Sequence, residues 1–185
     1  MTGEIPSVSS LEATLGEAPV RRNIELKARL HDIAAARLQA RAIATSSEPA
    51  QHQVDTYFRA TQGRLKLREI NRATAQLVWY RRSNDPQSRS SDYLLVPIVD
   101  PALLKQALAG ALGIVGVVEK HREIFLYENV RIHLDQVLGR GTFLEFEAVL
   151  GAAQTDQAGH EKLALLRRHF AVGDADLIAG SYGDA

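Results

Sequence analysis

No cysteine occurs in the 185 residues, which excludes disulfide bridges, thiolate metal sites and a cysteine nucleophile. No excess of one charge sign exists either, because Lys and Arg total 22 and so do Asp and Glu. A balanced chain has no global field to draw it to nucleic acid or to an anionic membrane surface. No run approaches the roughly 20 apolar residues that a membrane span needs. The opening MTGEIPSVSSLEATLGEAP has neither a basic start nor an apolar stretch, so it does not read as a signal peptide. Internal repeats, a Gly-rich phosphate loop and a Ser-His-Asp spacing are also missing. The histidines show no metal-ligand spacing, and only His133, between Arg131 and Asp135, keeps company that suggests a site. These absences leave a cytoplasmic protein as the expectation, with residues 20–185 as one domain behind a flexible leader at 1–19.

What is present is alternation. At 45% hydrophobic and 24% charged, the chain can bury one sizeable core. Successive side chains point to opposite faces of a strand. Residues 20–30 alternate in this way, as do Gln53–Ala60, Arg64–Arg68, Thr74–Arg82, Asp92–Val99 and Val117–Tyr127. Asp32 is placed to cap an Ala-rich helix to about Ile43, closed by Ser46, Ser47 and Pro49. Asp100-Pro101 opens a second helix to about Leu112, and GHEKLALLRRHF, residues 159–170, forms a third amphipathic one. Ser83–Ser91 reads as a polar loop. Mostly antiparallel strands with three helices predict an α+β barrel or strongly curved sheet.

The organising stretch is RIHLDQVLGRGTFLEFEAVL, residues 131–150, two strands joined at Gly139-Arg140-Gly141. Arg131, His133 and Asp135 share one face of the first strand, and Glu145 and Glu147 share one face of the second. Carboxylates at i and i+2 stand about 7 Å apart at the backbone and can meet one hard cation. A solvated sheet face alternates in the same manner. Collected over all strands, the charged faces carry Lys27, Arg29, Lys66, Arg68, Arg82, Lys120, Arg122 and Arg131 against Glu25, Asp135, Glu145 and Glu147. Burying so many cations unpaired is prohibitive. Two arrangements remain: an open wetted face, or a water-filled lumen that holds a polyanion with a bridging divalent cation, the apolar alternates pointing outward beneath helices. In the second, removing Lys66 or Arg68 is expected to leave the ligand-free fold unchanged or more stable, by relieving repulsion.

Several spaced motifs resemble the CYTH superfamily, the triphosphate tunnel metalloenzymes. Asn23-Ile-Glu25-Leu-Lys27 is similar to the family's opening Glu-x-Glu-x-Lys, and Lys66-x-Arg68 and Lys120-His-Arg122 resemble its later strand cations. RIHLDQV followed by Gly-x-Phe-x-Glu-x-Glu is similar to its late hairpin, and YRR, RSSDY and GSYGD look like the class IV adenylyl cyclase-like branch. The resemblance spans roughly Arg21 to Tyr182. It implies an eight-stranded antiparallel β-barrel with flanking helices whose lumen binds a triphosphate with Mg²⁺ or Mn²⁺. It implies Glu25, Glu145 and Glu147 as metal ligands, and Lys66, Arg68, Arg82, Lys120 and Arg122 as substrate-binding groups. Lys27 and Arg131, also phosphate-facing, and Asp135 would stand at the reacting centre. Asn23 departs from the pattern: an amide can ligate a hard cation but brings no charge, so a second ion is expected to bind weakly. Tyr57, Trp79, Tyr80 and Tyr93 are available to stack an adenine, though strand aromatics more often pack in a core.

The expected function is thus metal-dependent processing of a triphosphate, either ATP to cyclic AMP and pyrophosphate or hydrolysis of a nucleoside triphosphate. Inorganic or thiamine triphosphate hydrolysis, and a non-catalytic nucleotide- or polyphosphate-binding module, stay open. A single-stranded RNA binder is disfavoured by the neutral charge and the Glu-x-Glu hairpin. The expected partners are a triphosphate-bearing small molecule, with no nucleic acid and no membrane, in a monomer or homodimer.

Overall fold

The computed structural model describes residues 20–151 and 153–180. The leader at 1–19 and all but the first residue of the terminal GSYGD lie outside them. Eight strands form: β1 (Arg21–Arg29), β2 (Ser46–Phe58), β3 (Arg64–Ile70), β4 (Thr74–Arg82), β5 (Arg89–Ile98), β6 (Ile114–Tyr127), β7 (Val130–Val137) and β8 (Gly141–Leu150). They close into a barrel in the order β1-β5-β4-β3-β2-β6-β7-β8, with neighbours antiparallel throughout. Closure removes the sheet edges that would otherwise be open to pairing. The expected eight-stranded α+β barrel is therefore the fold.

Three helices cover the outside: α1 (Ile33–Ile43), α2 (Pro101–Leu112) and α3 (Asp156–His169). Asp32 caps α1 by accepting from the Ala34 and Ala35 amides, and Asp100 and Thr155 cap α2 and α3 in the same way. The hydrophobic core lies outside the barrel. Ile24, Leu26, Ile132, Leu134, Leu144 and Phe146 point outward beneath α1 and α3, while Phe58, Leu67 and Ala75 lie beneath α2. Burying each large side chain contributes about 1.5–3 kcal/mol. Gly159 lets α3 settle on β1, because a Cβ there would fall 2.5 Å from Ile24 Cγ1. No helix among the described residues is long and apolar enough to cross a membrane.

Three strands begin well before the residue expected. The second strand begins at Ser46 rather than Gln53, because Pro49 sits at an irregularity between Glu48 and Gln51 where the register with β6 shifts. A missing amide there interrupts no regular ladder. The fifth strand begins at Arg89, inside the stretch expected to be a loop, where β1 provides an edge for Arg89–Tyr93 to pair with. The sixth begins at Ile114, directly after α2.

The two ends of the barrel are unlike. Beyond α3 and a short 3-10 turn, Asp174–Asp176, the chain crosses one end as a strap. Leu177 bridges to Ala28, the Ile178 amide donates to the Lys27 carbonyl at 2.9 Å, and Ile178 packs on Tyr57, Val118, Val137 and Phe143. At the other end Leu95 and Arg131 are open to solvent, with Gln51, Ile70 and Gln76 around the mouth.

Candidate functional site

The inward faces line a cavity of about 280 Å³ that contains Glu25, Lys27, Lys66, Arg68, Arg82, Lys120, Arg122, Arg131, Glu145 and Glu147. Apart from Arg29, which is exposed at the end of β1 and does not line the cavity, the charged alternates thus point in and the apolar ones out, which resolves the alternative of a wetted open face. Strand tilt staggers the register, so each register partner stands about two residues further along the barrel axis. Following the pairings round the ring sorts the inward side chains into levels. Under the strap lie Lys27, Tyr57, Arg82 and Arg89. Below them come Glu25, Asp55, Lys66, Tyr80, Lys120, Asp135 and Glu145. The next level holds Asn23, Gln53, Arg68, Val78, Tyr93, Arg122, His133 and Glu147, and the mouth follows.

Most of these charges are paired. Asp55 is fully buried and accepts from Lys66 at 2.9 Å and from Arg68 at 2.7 and 2.8 Å, with Lys120 at 3.8 Å. Burial alone would push its carboxyl up, but Arg68, Lys66 and Lys120 outweigh that and hold it well below the usual carboxylate range. Asp135, equally buried, accepts bidentately from Arg122 at 2.7 and 2.6 Å and lies 3.6 Å from Lys120. It is likewise held down against burial by Arg122 and Lys120. The lysines bear the cost of enclosure. Burial, with Arg68 beside it, pushes Lys66 down to about 8; burial and Arg122 push Lys120 down to about 7.

Glu25, on β1, lies 3.1 Å from both Arg82 and Arg89. Burial still drives its carboxyl up, with Arg82 opposing and Glu145 reinforcing. Lys27 lies 3.3 Å from Glu145, whose other oxygen accepts from Arg122 at 2.6 Å. Glu147 pairs with Arg131 at 3.6 Å near the mouth. Arg82 and Arg89 also donate to the strap, to the Ala179 and Ile178 carbonyls at 3.2 Å each. The seal and the lumen therefore share two guanidinium groups.

A metal ion of the expected kind requires converging oxygen or imidazole donors. His133, Glu145 and Glu147 supply one ligand atom each within 4.8 Å of one another, the one such group among the described residues. His133 Nδ1 is buried without a hydrogen-bond partner. Burial and Arg122 lower the imidazole's pKa, which favours the neutral form that binds metals. The donor set fits an ion. Glu25 pairs in register with Glu147 but is engaged by the two arginines rather than by this cluster. The other buried side-chain polar atoms without hydrogen-bond partners among the described residues are Asn23 Oδ1, Gln53 Oε1 and Tyr93 Oη, all lining the same lumen at the level of His133.

Across the lumen from β7, strand β4 presents Val78 and Tyr80, which cluster with Tyr93 of β5 into an uncharged patch, with Lys66 Nζ 5.6 Å and Arg82 Cζ 5.9 Å from the Tyr80 ring. Sequence reasoning missed Asp55 and Arg89. Asp55 shares a strand face with the lumen residues Gln53 and Tyr57, a signal present but isolated. Arg89 was hidden in a Ser-rich stretch.

A model of the CYTH domain matches residues 21–182. No curated protein matches the chain. Among solved structures, it is similar to the PH1012 protein of Pyrococcus horikoshii OT3, with TM-score 0.78 at 21% identity over 88% of this chain and 98% of that one. A candidate adenylate cyclase of Vibrio parahaemolyticus superposes with TM-score 0.67 at 24% identity, covering 88% and 95%. A chain of the Schizosaccharomyces pombe Mediator head module does so with TM-score 0.61 at 5% identity, covering 81% and 94%. At these identities the likeness concerns the fold.

Proposed function

The chain belongs to the CYTH domain family, and from that premise we propose that it is a metal-dependent enzyme that processes a nucleoside triphosphate inside its barrel. The observation that carries the substrate is the pairing of two walls. The His133–Glu145–Glu147 cluster lies on β7 and β8, and an uncharged patch of Val78, Tyr80 and Tyr93, flanked by Lys66 and Arg82, lies across the lumen on β4 and β5. Inorganic triphosphate has no use for an uncharged aromatic wall, whereas a nucleoside base does.

In this reading Lys27, Lys66, Arg68, Arg82, Lys120, Arg122 and Arg131 receive phosphate oxygens. Phosphoryl and nucleotidyl transfer ask little covalent chemistry of a protein, so positioning and charge neutralisation supply most of the effect. Asp55 and Asp135 act one step back, each fixing a guanidinium so that its remaining donors point into the lumen. Burial keeps Lys66 and Lys120 near neutral pKa, so an arriving phosphate draws protons onto them. Glu145 and Glu147, with Glu25 beside them, are the proposed holders of Mg²⁺ or Mn²⁺, which when bound would neutralise phosphate oxygens. The strap closes one end, so substrate enters and products leave by the mouth near Arg131.

The reaction is tested by incubation with ATP, inorganic triphosphate and thiamine triphosphate, each with Mg²⁺ and with Mn²⁺, resolving every product. Cyclic AMP with pyrophosphate identifies attack by the ribose 3′-hydroxyl on the α-phosphorus; orthophosphate from ATP identifies hydrolysis. Turnover restricted to inorganic or thiamine triphosphate, or binding without turnover, overturns the proposal.

A further inference from the structure

We propose that His133 is a nitrogen ligand of the ion at Glu145 and Glu147, and that it sets the preference of this site for Mn²⁺ over Mg²⁺. The inference rests on the reading of the barrel as a metal-dependent triphosphate site and goes on to say which ion that site selects.

His133 projects from β7 into the lumen and is 3% exposed, and its Nδ1 has no hydrogen-bond partner. A buried ring nitrogen without a partner is costly and rare. Its nearest carboxylate oxygens are Glu145 Oε2 at 3.7 Å and Glu147 Oε1 at 4.0 Å, too far for hydrogen bonds. Those separations suit atoms that share an ion, since bonds of about 2.1 Å space ligand atoms roughly 3–4 Å apart. Glu145 Oε2 already accepts from Arg122 at 2.6 Å, but a carboxylate oxygen keeps a second lone pair for a cation. The arrangement is also built. Glu145 is held from two sides by Lys27 and Arg122, and β7 and β8 pair His133 directly with Glu145.

The donor chemistry then discriminates between ions. Mg²⁺ takes oxygen ligands and keeps its waters, whereas imidazole suits first-row transition ions. One nitrogen among three side-chain donors moves the site away from Mg²⁺ and toward Mn²⁺, and further along the series toward Co²⁺ and Zn²⁺.

The test is Mn²⁺ binding to the full chain in the presence of inorganic triphosphate, which brings no nitrogen of its own. Pulsed electron paramagnetic resonance reports nitrogen-14 coupled to bound Mn²⁺, and calorimetry compares Mn²⁺ with Mg²⁺. Wild type should show a directly bound imidazole nitrogen and bind Mn²⁺ at least about tenfold more tightly than Mg²⁺. In His133→Gln the nitrogen coupling should disappear and Mn²⁺ affinity should fall about tenfold or more, with Mg²⁺ affinity nearly unmoved. His133→Asn serves as a second variant should the first fail to fold. Mn²⁺ bound without nitrogen coupling in wild type, or equal losses for both ions in the variant, overturns the inference and leaves the tunnel reading standing. If neither ion nor triphosphate binds wild type, the tunnel reading falls and this inference with it.

Discussion

Across one lumen, the wall of β6, β7, β8 and β1 holds Lys120, Arg122, Asp135, Glu145, Glu147, Glu25 and Lys27, while β4 and β5 hold an uncharged patch of Val78, Tyr80 and Tyr93 below Arg82 and Arg89. Both walls arise from the same two-residue alternation, yet they bury opposite kinds of surface. On the charged wall enclosure is tolerable because the groups pair, as in the bidentate Arg122–Asp135 contact. On the uncharged wall the aromatics pack together and leave Tyr93 Oη without a partner. Charged groups matched to one another in the empty lumen can exchange partners when a polyanion enters. The uncharged patch holds no ion pair of its own, and on the proposed reading it contributes when an organic group covers it. On the proposed reading, the charged wall governs turnover and the stability of the empty barrel, and the uncharged patch governs which triphosphate is accepted.

The comparison is broken most severely by removing a carboxylate of the ion cluster. Glu147→Gln should reduce metal-dependent turnover by more than the roughly 10–100-fold typical of losing a supporting partner. Its melting temperature should stay close to that of wild type, because the ion pair with Arg131 lies at the open mouth, 3.6 Å long. A product-resolved assay beside a thermal melt checks both halves.

Arg68→Ala should come next, and here the structure reverses the expectation drawn from charge alone. Relief of like-charge repulsion was expected to leave the empty fold unchanged or more stable. Asp55 was absent from that reasoning, and it is fully buried with Arg68 as its bidentate partner. Leaving a buried carboxylate short of partners should cost about 3–5 kcal/mol, measured by urea denaturation without ligand. Triphosphate affinity should also fall, by about 1–3 kcal/mol. Unchanged stability would show that Lys66 and Lys120 suffice for Asp55.

That reversal shows where legibility ended. The division of charged from apolar residues could be read from spacing, because a strand has only two faces; spacing left open whether the charged face turned to solvent or to a lumen, and the family resemblance favoured the lumen. Lys66, Arg68, Lys120, Arg122, Glu145 and Glu147 were all visible in this way. Asp55 was not, because one acid among Gln53 and Tyr57 has no neighbour in sequence to mark it; its three cations come from β3 and β6. Arg89 and the strap were hidden for a related reason, since the edge of β1 and the Lys27 carbonyl that hold them are tertiary features. The start of β2 was obscured by Pro49, which strands tolerate only at irregularities such as the one present.

A smaller effect sharpens the charged side through pH. Lys120 and Lys66 are pushed to about 7 and about 8 in the folded protein, against roughly 10.4 when unfolded. Between pH 7 and 9 the unfolded chain therefore binds more protons, so the stability of the ligand-free protein should rise with pH across that window. Triphosphate binding should take up protons there and weaken as pH climbs past about 8. Calorimetry in buffers of different ionisation enthalpy measures the uptake, which Lys120→Met should reduce.

The division between the walls is tested most directly by one pair of affinities, those of a non-hydrolysable ATP analogue and of inorganic triphosphate, each with Mn²⁺, for wild type and Tyr93→Phe. Removing a single hydroxyl should weaken the nucleotide by about 0.5–1.5 kcal/mol, the value of one hydrogen bond, and leave inorganic triphosphate unaltered. Equal affinities of wild type for the two ligands, or an equal loss for both in Tyr93→Phe, would contradict an organic-group role for the uncharged wall.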